Sequence, residues 1–593
     1  MVAHRNLVFR RKFVTLFIVY MSEYHGFVWK LMTHEYKFRL EEPISMKKSR
    51  LFPALLLVLA LVLALPVAAQ DDAELLGFEV ESCDYGGAFQ SIEAVDELTV
   101  EFTLCNPDPA FPSKVAFAAL NIHSSDYLME TGGGGPELFQ NPVGTGPYQL
   151  EEWNLGNEIV MTRNENYWGD AAEEETLIFR WNSEASQRLA ALQAGEADGI
   201  DNPGVNEIGI IEEAEDLVLF PRAGTNIFYL GLNNTVEPLG DQMVRQAIAH
   251  AVDRQRIVDQ FYPEGSIAAS QFMPPVIFGY TPEVEPLEYD PELAMQMLEE
   301  SGVELPIQLE ISYRDVVRSY LPTPGLVAQD IQAQLAEVGI ETEIVQMESG
   351  AFLDASDAGE LELYLLGWGA DYPDATNFLD FHFGVGASDQ FGEKFEEITS
   401  NLTQGAQLAD PEERYPFYVA ANEAIRDLVP MVPVAHGGSA VAYRAEIEGN
   451  PHSSPLGNEY FAVMSDPSDE NFVWVQNAEP IGLYCADETD GESLRACEQI
   501  NESLLAYEIA GTDVVPALAT DYSTNEDSTV WTFQLREGVT FHDGSAFDAN
   551  DVVISYAAQW LEDHPLHVGR DGNFTYFRAF FSAFATTDML VEE

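Results

Sequence analysis

Arg314 and Arg318, in the stretch YRDVVRSY, carry guanidinium forks at a spacing that could meet a carboxylate bidentately. In a chain this poor in bases they could equally balance surface acid. His542 and Asp543, in REGVTFHDG, suggest a general acid–base pair. Adjacent residues on a strand point to opposite faces, however, and Asp543-Gly544 is better explained as a tight turn. HGGS at 436–439 has the look of an oxyanion loop, yet no nucleophile motif accompanies it. There is no GxSxG elbow, no HExxH, no Walker A pattern and no GxGxxG after a strand. Close pairs of acids are inevitable in so acidic a chain and do not by themselves argue a glycosidase. The sequence thus offers no catalytic residues and points to binding chemistry.

The elements that must position such a site begin after an unusual N-terminus. Met46 opens a charged segment with Lys47, Lys48 and Arg50, followed by an apolar run from Leu51 to Leu65 and small residues ending at Ala68 and Ala69. This reads as a signal peptide over 46–69, too short in its apolar part for a comfortable membrane span, with cleavage before Gln70. A membrane anchor is the alternative. Residues 1–45 carry seven Lys/Arg against four Asp/Glu and read as an upstream extension called from too early a start codon. Without residues 1–69 the chain keeps 18 of 28 basic and 95 of 99 acidic residues, a net charge of −77, and only Lys114 and Lys394 remain as lysines. Such a surface excludes electrostatic binding to nucleic acid or anionic lipid. It suits a saline medium, so the melting temperature should rise with added salt. The four cysteines allow three pairings. The local one, Cys83 with Cys105 and Cys485 with Cys497, is expected, with free buried thiols as the alternative. Their spacing fits no zinc pattern, and no metal or cofactor is expected.

At 593 residues and 46% hydrophobic content the chain should build two or three domains. LTVEFTL at 98–104 alternates as a half-buried strand, and Val530–Leu535 does so with Trp531, Phe533 and Leu535 on one face. The spacing predicts helices over 186–194, 244–258, 290–301 and 329–338, the first, third and fourth stopped by Gly195, Gly302 and Gly339. Helices and strands alternate through the middle, which argues an α/β fold. The glycines of NPVGTGPY at 141–148 allow backbone to lie close to other groups.

Several strings, taken together, resemble the family-5 solute-binding proteins of peptide-type ABC importers. They are NPVGTGPYQLEEW at 141–153, RNENYWG at 163–169, ASQRLAALQAGEADGID at 185–201 and VRQAIAHAVDRQRIVD at 244–259. YDPELAMQMLEESG at 289–302, GWGADYPDATNFL at 367–379 and EPIGLYCADETDGESLRACEQINESLLAYE at 479–508 follow, with REGVTFHDG at 536–544. The resemblance implies a two-lobed periplasmic-binding-protein-like fold of α/β class with a small extra peripheral domain. It also implies that Asp371 matches the acid that pairs with a peptide's α-ammonium group, with Trp368 and Tyr372 walling the pocket. A buried ammonium needs a carboxylate, and an aromatic face adds cation–π attraction. The bland reading of Asp371 is a turn cap before Pro373. Glu479 and Tyr484 are further lining candidates, with Arg314 for a ligand carboxylate. The implied function is capture of a peptide or similar small solute between two lobes and delivery to a membrane permease, by an exported, non-enzymatic protein expected to be a monomer. A secreted peptidase or glycosidase, or a sensor or chaperone-like binder, is the alternative.

The order of these strings is unusual. WTFQLREGVTFHDG belongs near the family's beginning, and IEAVDELTVEFTL at 92–104 should follow it, yet here the first lies close to the C-terminus. The chain therefore resembles a circularly permuted member of the family. The expected layout is lobe I over 121–235 and 440–499, lobe II over 236–439, and a peripheral domain split between 500–593 and 70–120. GNEYFAVMSDPSDENFVW at 457–474 would be a short polar linker across the usual termini. The permutation requires 92–104 and 530–535 to share one small domain.

Overall fold

The computed structural model describes residues 75–591 apart from 264 and 469. The upstream extension and the signal segment lie outside the described residues. Three sheets organise the rest. The first is antiparallel, in the order Gly77–Glu79, Phe89–Asp96, Thr99–Leu104, Val530–Leu535, Ala519–Thr524. Thr99–Leu104 and Val530–Leu535, separated by most of the chain, pair directly, with Phe102 opposite Trp531 and Val100 opposite Phe533. Alternation buries Val100, Phe102 and Leu104 from one strand and Trp531, Phe533 and Leu535 from the other. These side chains meet the helix Ala549–Trp560, whose start is fixed by a capping box between Asp548 and Asp551. The two ends of the described chain adjoin in the same region. The Val591 amide donates to the Glu79 carbonyl (2.8 Å) and the Glu81 amide to that of Met589 (2.9 Å).

The second sheet runs Ile267–Ala268, Met431–His436, Asn226–Leu232, Leu363–Gly369, Ile307–Arg314, Ile340–Met347. Its central strand Asn226–Leu232 is buried along its whole length, as covering on both faces requires. This sheet therefore recruits a strand from before residue 236, the lobe boundary expected from the sequence. The third sheet runs Tyr148–Asn154, Glu158–Arg163, Thr176–Trp181, Asn471–Gln476, Gly199–Asp201, Ser439–Arg444, Leu217–Arg222. Asn471–Gln476 lies inside it, and Phe461, Met464, Phe472 and Trp474 are core residues. The expected polar linker is thus largely a buried strand and its approach. Apolar residues interleaved in that string carry it into the core, and two of its acids, Glu459 and Asp466, are buried with it.

The second and third sheets are joined by two short crossings side by side, 223–225 and 437–438, which arise where the strands ending at Arg222 and His436 resume at Asn226 and Ser439. HGGS is one of them. Asn226 clamps it, its Nδ2 donating to the Gly437 carbonyl (2.7 Å) and its Oδ1 accepting from the Gly437 amide (2.8 Å). A Cβ at Gly437 would collide with the Ser319 carbonyl, so the second residue of the motif must lack a side chain. Beside the crossings a buried cluster joins Arg222 to Asp201 (3.1 Å) and Glu459 (2.6 Å), and Arg495 to Glu459 (2.8 Å). Burial alone would raise the Glu459 carboxyl, but the two guanidinium groups hold it below its usual range.

Two helices differ from their expected bounds, and the one foreseen over 329–338 is Pro324–Glu337. The helix foreseen over 244–258 is two, Gln242–Ala251 and Arg254–Phe261. Val252 is extended, and the Asp253 side chain caps the second helix by accepting from the Arg256 amide (3.0 Å). Disulfides join Cys83 to Cys105 and Cys485 to Cys497. His542 sits against the NPVGTGPY loop, within 3.0 Å of the Gly146 carbonyl, and a Cβ at Gly144 would collide with the Ile500 carbonyl. Among the described residues no helix is long and apolar enough to cross a membrane.

Candidate functional site

The strand Leu363–Gly369 delivers the GWGADYPDATNFL segment to the end of the second sheet, beside the crossings. There the Ala370 amide donates to the Thr225 carbonyl (2.8 Å). The chain then turns through Asp371 and Tyr372 into a helical stretch, Thr376–Asp380 and Phe381–Phe383. Asn377, which is buried, fixes the turn. Its Oδ1 accepts from the Asp371 amide (3.0 Å) and from Trp368 Nε1 (3.3 Å), and its Nδ2 donates to Asp371 Oδ2 (3.0 Å). A short asparagine side chain therefore orients both the acid and the indole.

This turn forms one wall of a cleft of about 620 Å³. The opposite wall comes from segments around the first sheet, residues 86–88, 104, 106–109, 579, 580 and 582, with Lys114 among them. Asp371, Trp368 and Tyr372 all line this space, so the structure brings these three together. Burial pushes the half-buried Asp371 carboxyl up to about 6, against the opposing bond from Asn377. Among the described residues, no ion pair within 4 Å includes Asp371. Trp368 stacks on the exposed ring of Phe381 at 4.3 Å between centroids. Tyr372 presents its face to Lys114 Nζ (5.2 Å) and meets Phe580 edge-on (5.1 Å). Lys114 is neutralised by Asp108 at 2.6 Å.

The neighbouring acid of the segment, Asp374, has a different task. Arg414 grips it with two bonds of 2.9 Å and also donates to the Tyr418 hydroxyl (2.7 Å). Burial would raise the Asp374 carboxyl, but Arg414 holds it below its usual range. Asp374 is thus committed within the protein, whereas Asp371 is held ready without a cation. A half-buried carboxyl group that shares a cleft with Trp368 and Tyr372 is chemically able to pair with a positive group.

The other expected site residues lie elsewhere. Tyr484 is fully buried, packed against His123 and Phe139, because the apolar segment that carries it is core. Glu479 accepts from Trp153 Nε1 (3.2 Å) and the Gly156 amide (2.8 Å), pinning a hairpin of the third sheet. Arg314 donates to Ser349 Oγ (3.1 Å) and the Tyr320 hydroxyl (3.3 Å). None of the three lines the cleft. Sequence reasoning missed Asn377, Lys114, Asp380 and Phe580. Asn377 stands in the quoted segment, and Lys114 is one of two lysines left after residue 69, a rarity that could have marked it. Phe580 carried no local signal. Among the described residues no group of three His, Cys, Asp or Glu could hold a metal ion.

Two α/β sheets joined by paired crossings, with a cleft between one of them and the segments around the first sheet, have the architecture of a two-lobed binding protein. The family model described as bacterial extracellular solute-binding proteins, family 5 Middle, matches residues 66–390 and 513–571, and the chain belongs to that family. It is similar to the dipeptide-binding protein of Escherichia coli, at 31% identity over 381 residues, covering 63% of this chain and 71% of that protein. Heme-binding protein A of Haemophilus influenzae is 29% identical over 381 residues, covering 63% and 70%. Among solved structures, HbpA2 from Haemophilus parasuis superposes with a TM-score of 0.61 at 31% identity, over 64% of this chain and 76% of that one. The dipeptide binding protein from Pseudoalteromonas in complex with Met-Leu gives 0.50 at 27% identity, over 64% and 76%.

Proposed function

We propose that this solute-binding protein captures short peptides in the cleft at Asp371, the α-ammonium group pairing with that carboxylate beside Trp368 and Tyr372. It then delivers them to the membrane permease of an ABC importer. The observation that carries this reading is Asp371 itself, half-buried and raised to about 6, in a cleft of about 620 Å³ whose one lining base, Lys114, is paired with Asp108. That volume lies within the range of small-ligand sites, roughly 300–1,000 Å³. The names of the dipeptide-binding relatives support the peptide class. Export fits the expected signal segment at 46–69. A permuted order of elements is supported by the pairing of Thr99–Leu104 with Val530–Leu535 and by the adjoining ends near Glu79 and Val591. Calorimetric titration with a dipeptide and its N-acetyl form tests the reading. The free peptide should bind, and acetylation, which removes the ammonium charge, should abolish binding. Equal affinity for the two forms would refute the role of Asp371.

A further inference from the structure

Two cavities meet at Asp380. Beside the main cleft of about 620 Å³ opens a hollow of about 240 Å³, and Pro107, Asp380 and Ala406 belong to the walls of both. Gly384, Val385, Leu402, Thr403 and Gln407 form the remaining wall of the hollow, so that the apolar side chains of Val385, Leu402 and Ala406 share it with two neutral polar ones and with a carboxyl group at its junction with the cleft. Asp380 Oδ2 is buried with no hydrogen-bond partner, in contrast to Asp374 nearby, both of whose oxygens are taken by Arg414. Burial, and then the charge of Asp374, push the Asp380 carboxyl up to about 8, while Arg414 and Lys114 act in the opposite direction without overcoming them. Both of those bases are already paired, Arg414 with Asp374 and Lys114 with Asp108. Around the cleft as a whole, Asp108, Asp357, Asp371 and Asp380 face the single base Lys114.

We infer that the hollow beside Asp380 is a side-chain subsite selecting peptides that carry lysine or arginine, with the methylene stem along Leu402, Val385 and Ala406 and the cationic head on the Asp380 carboxylate. The inference rests on the peptide reading of the cleft given above. A long basic side chain suits such a place because its stem covers apolar surface while its head needs an acceptor. Burial and the charge of Asp374 disfavour the ionised form of Asp380, and an arriving cation offsets that cost. A norleucine side chain would fill the same hollow and leave the carboxyl uncompensated.

The test is calorimetric titration of the full chain with Ala-Lys and Lys-Ala against their norleucine counterparts, covering both positions of the basic side chain. In one register the lysine peptide should bind about tenfold or more tightly than its norleucine analogue. Asp380→Asn should bring that ratio close to one while affinity for the norleucine peptide persists. Thr403→Lys, at an exposed position on the hollow, places a competing ammonium there and should also shrink the ratio. This second variant decides the matter if Asp380→Asn does not fold. A lysine preference that survives these substitutions overturns the inference. Equal, tight binding of both peptide classes by the native chain overturns the subsite alone, whereas binding of neither overturns the subsite and the peptide reading together.

Discussion

Replacing Asp371 by asparagine should stabilise the empty protein while it weakens peptide binding, a combination that a turn-capping role would not give. In the unfolded chain this carboxyl has its ordinary value of 3.8, and burial in the fold raises it to about 6. A group whose folded value is raised contributes stability that is fully present below the unfolded value and lost as pH climbs through the folded one. At neutral pH the ionised carboxylate therefore costs the native state at most about 3 kcal/mol. Solvent at the half-buried side chain reduces this to roughly 1–2 kcal/mol. Asparagine keeps an oxygen for Asn377 Nδ2 and removes the charge. Thermal unfolding at neutral pH should show a melting temperature higher by about 1–3 °C in the variant. The difference should shrink as pH falls through about 6 towards the unfolded value of 3.8. Peptide binding moves the other way: removing one partner of a buried charge pair costs about 2–5 kcal/mol, a loss of about 30-fold or more in affinity. The native protein should itself lose affinity below about pH 6, by about tenfold per unit. A variant that melts lower at neutral pH and binds peptide as tightly as the native chain would refute this reasoning and leave Asp371 a turn residue.

Arg414→Ala strands Asp374 in a site where the arginine side chain is 2% exposed, and it should destabilise the fold by about 3–5 kcal/mol in urea denaturation. An unchanged midpoint would show that Asp374 is compensated from elsewhere. The double change Cys83→Ser and Cys105→Ser, opening a cross-link between residues 22 apart, should lower stability by about 2–4 kcal/mol under oxidising conditions. Reducing agent should have less effect on that variant than on the native chain. A reordered gene that joins residue 591 to residue 75 and opens the chain between the exposed residues 467 and 468 should yield a folded protein with unchanged peptide affinity. An unfolded product would count against the permuted order.

Much of the architecture could be read from the residues because burial alternates with the pleat. Trp531, Phe533 and Leu535 share a face in the sequence and in the core, and Asp290 and Gly302 bound their helix as helix caps should. The middle of the site was legible because Asp371, Trp368 and Tyr372 lie within five residues of one another on one turn. What failed depends on tertiary surroundings. A tyrosine such as Tyr484 serves equally as core or as lining, and only packing decides which. Glu479 and Arg314 found partners in hairpins and strands that no local pattern announces. The far wall of the cleft, with Lys114 and Phe580, comes from segments hundreds of residues away from Asp371, so no spacing rule could bring it into view. The helix break at Asp253 is a local failure. Apolar periodicity carried through the site, and a capping aspartate overrode it.

The bond from the Ala370 amide to the Thr225 carbonyl ties the turn that carries Asp371 to one of the two crossings between the second and third sheets, so a rotation at those crossings would have this acid close to its axis. Points near a rotation axis hardly move, whereas the tips of the lobes sweep through the largest arc. Any rotation at 223–225 and 437–438 therefore leaves the geometry of Asp371, Asn377 and Trp368 nearly constant while the distant walls approach or retreat. On the proposed peptide reading, the ligand's ammonium would be seated at Asp371 before such a rotation and remain seated through it. Recognition of the charge and enclosure of the remainder then become successive events, with the first setting how fast a ligand is caught and the second how long it stays.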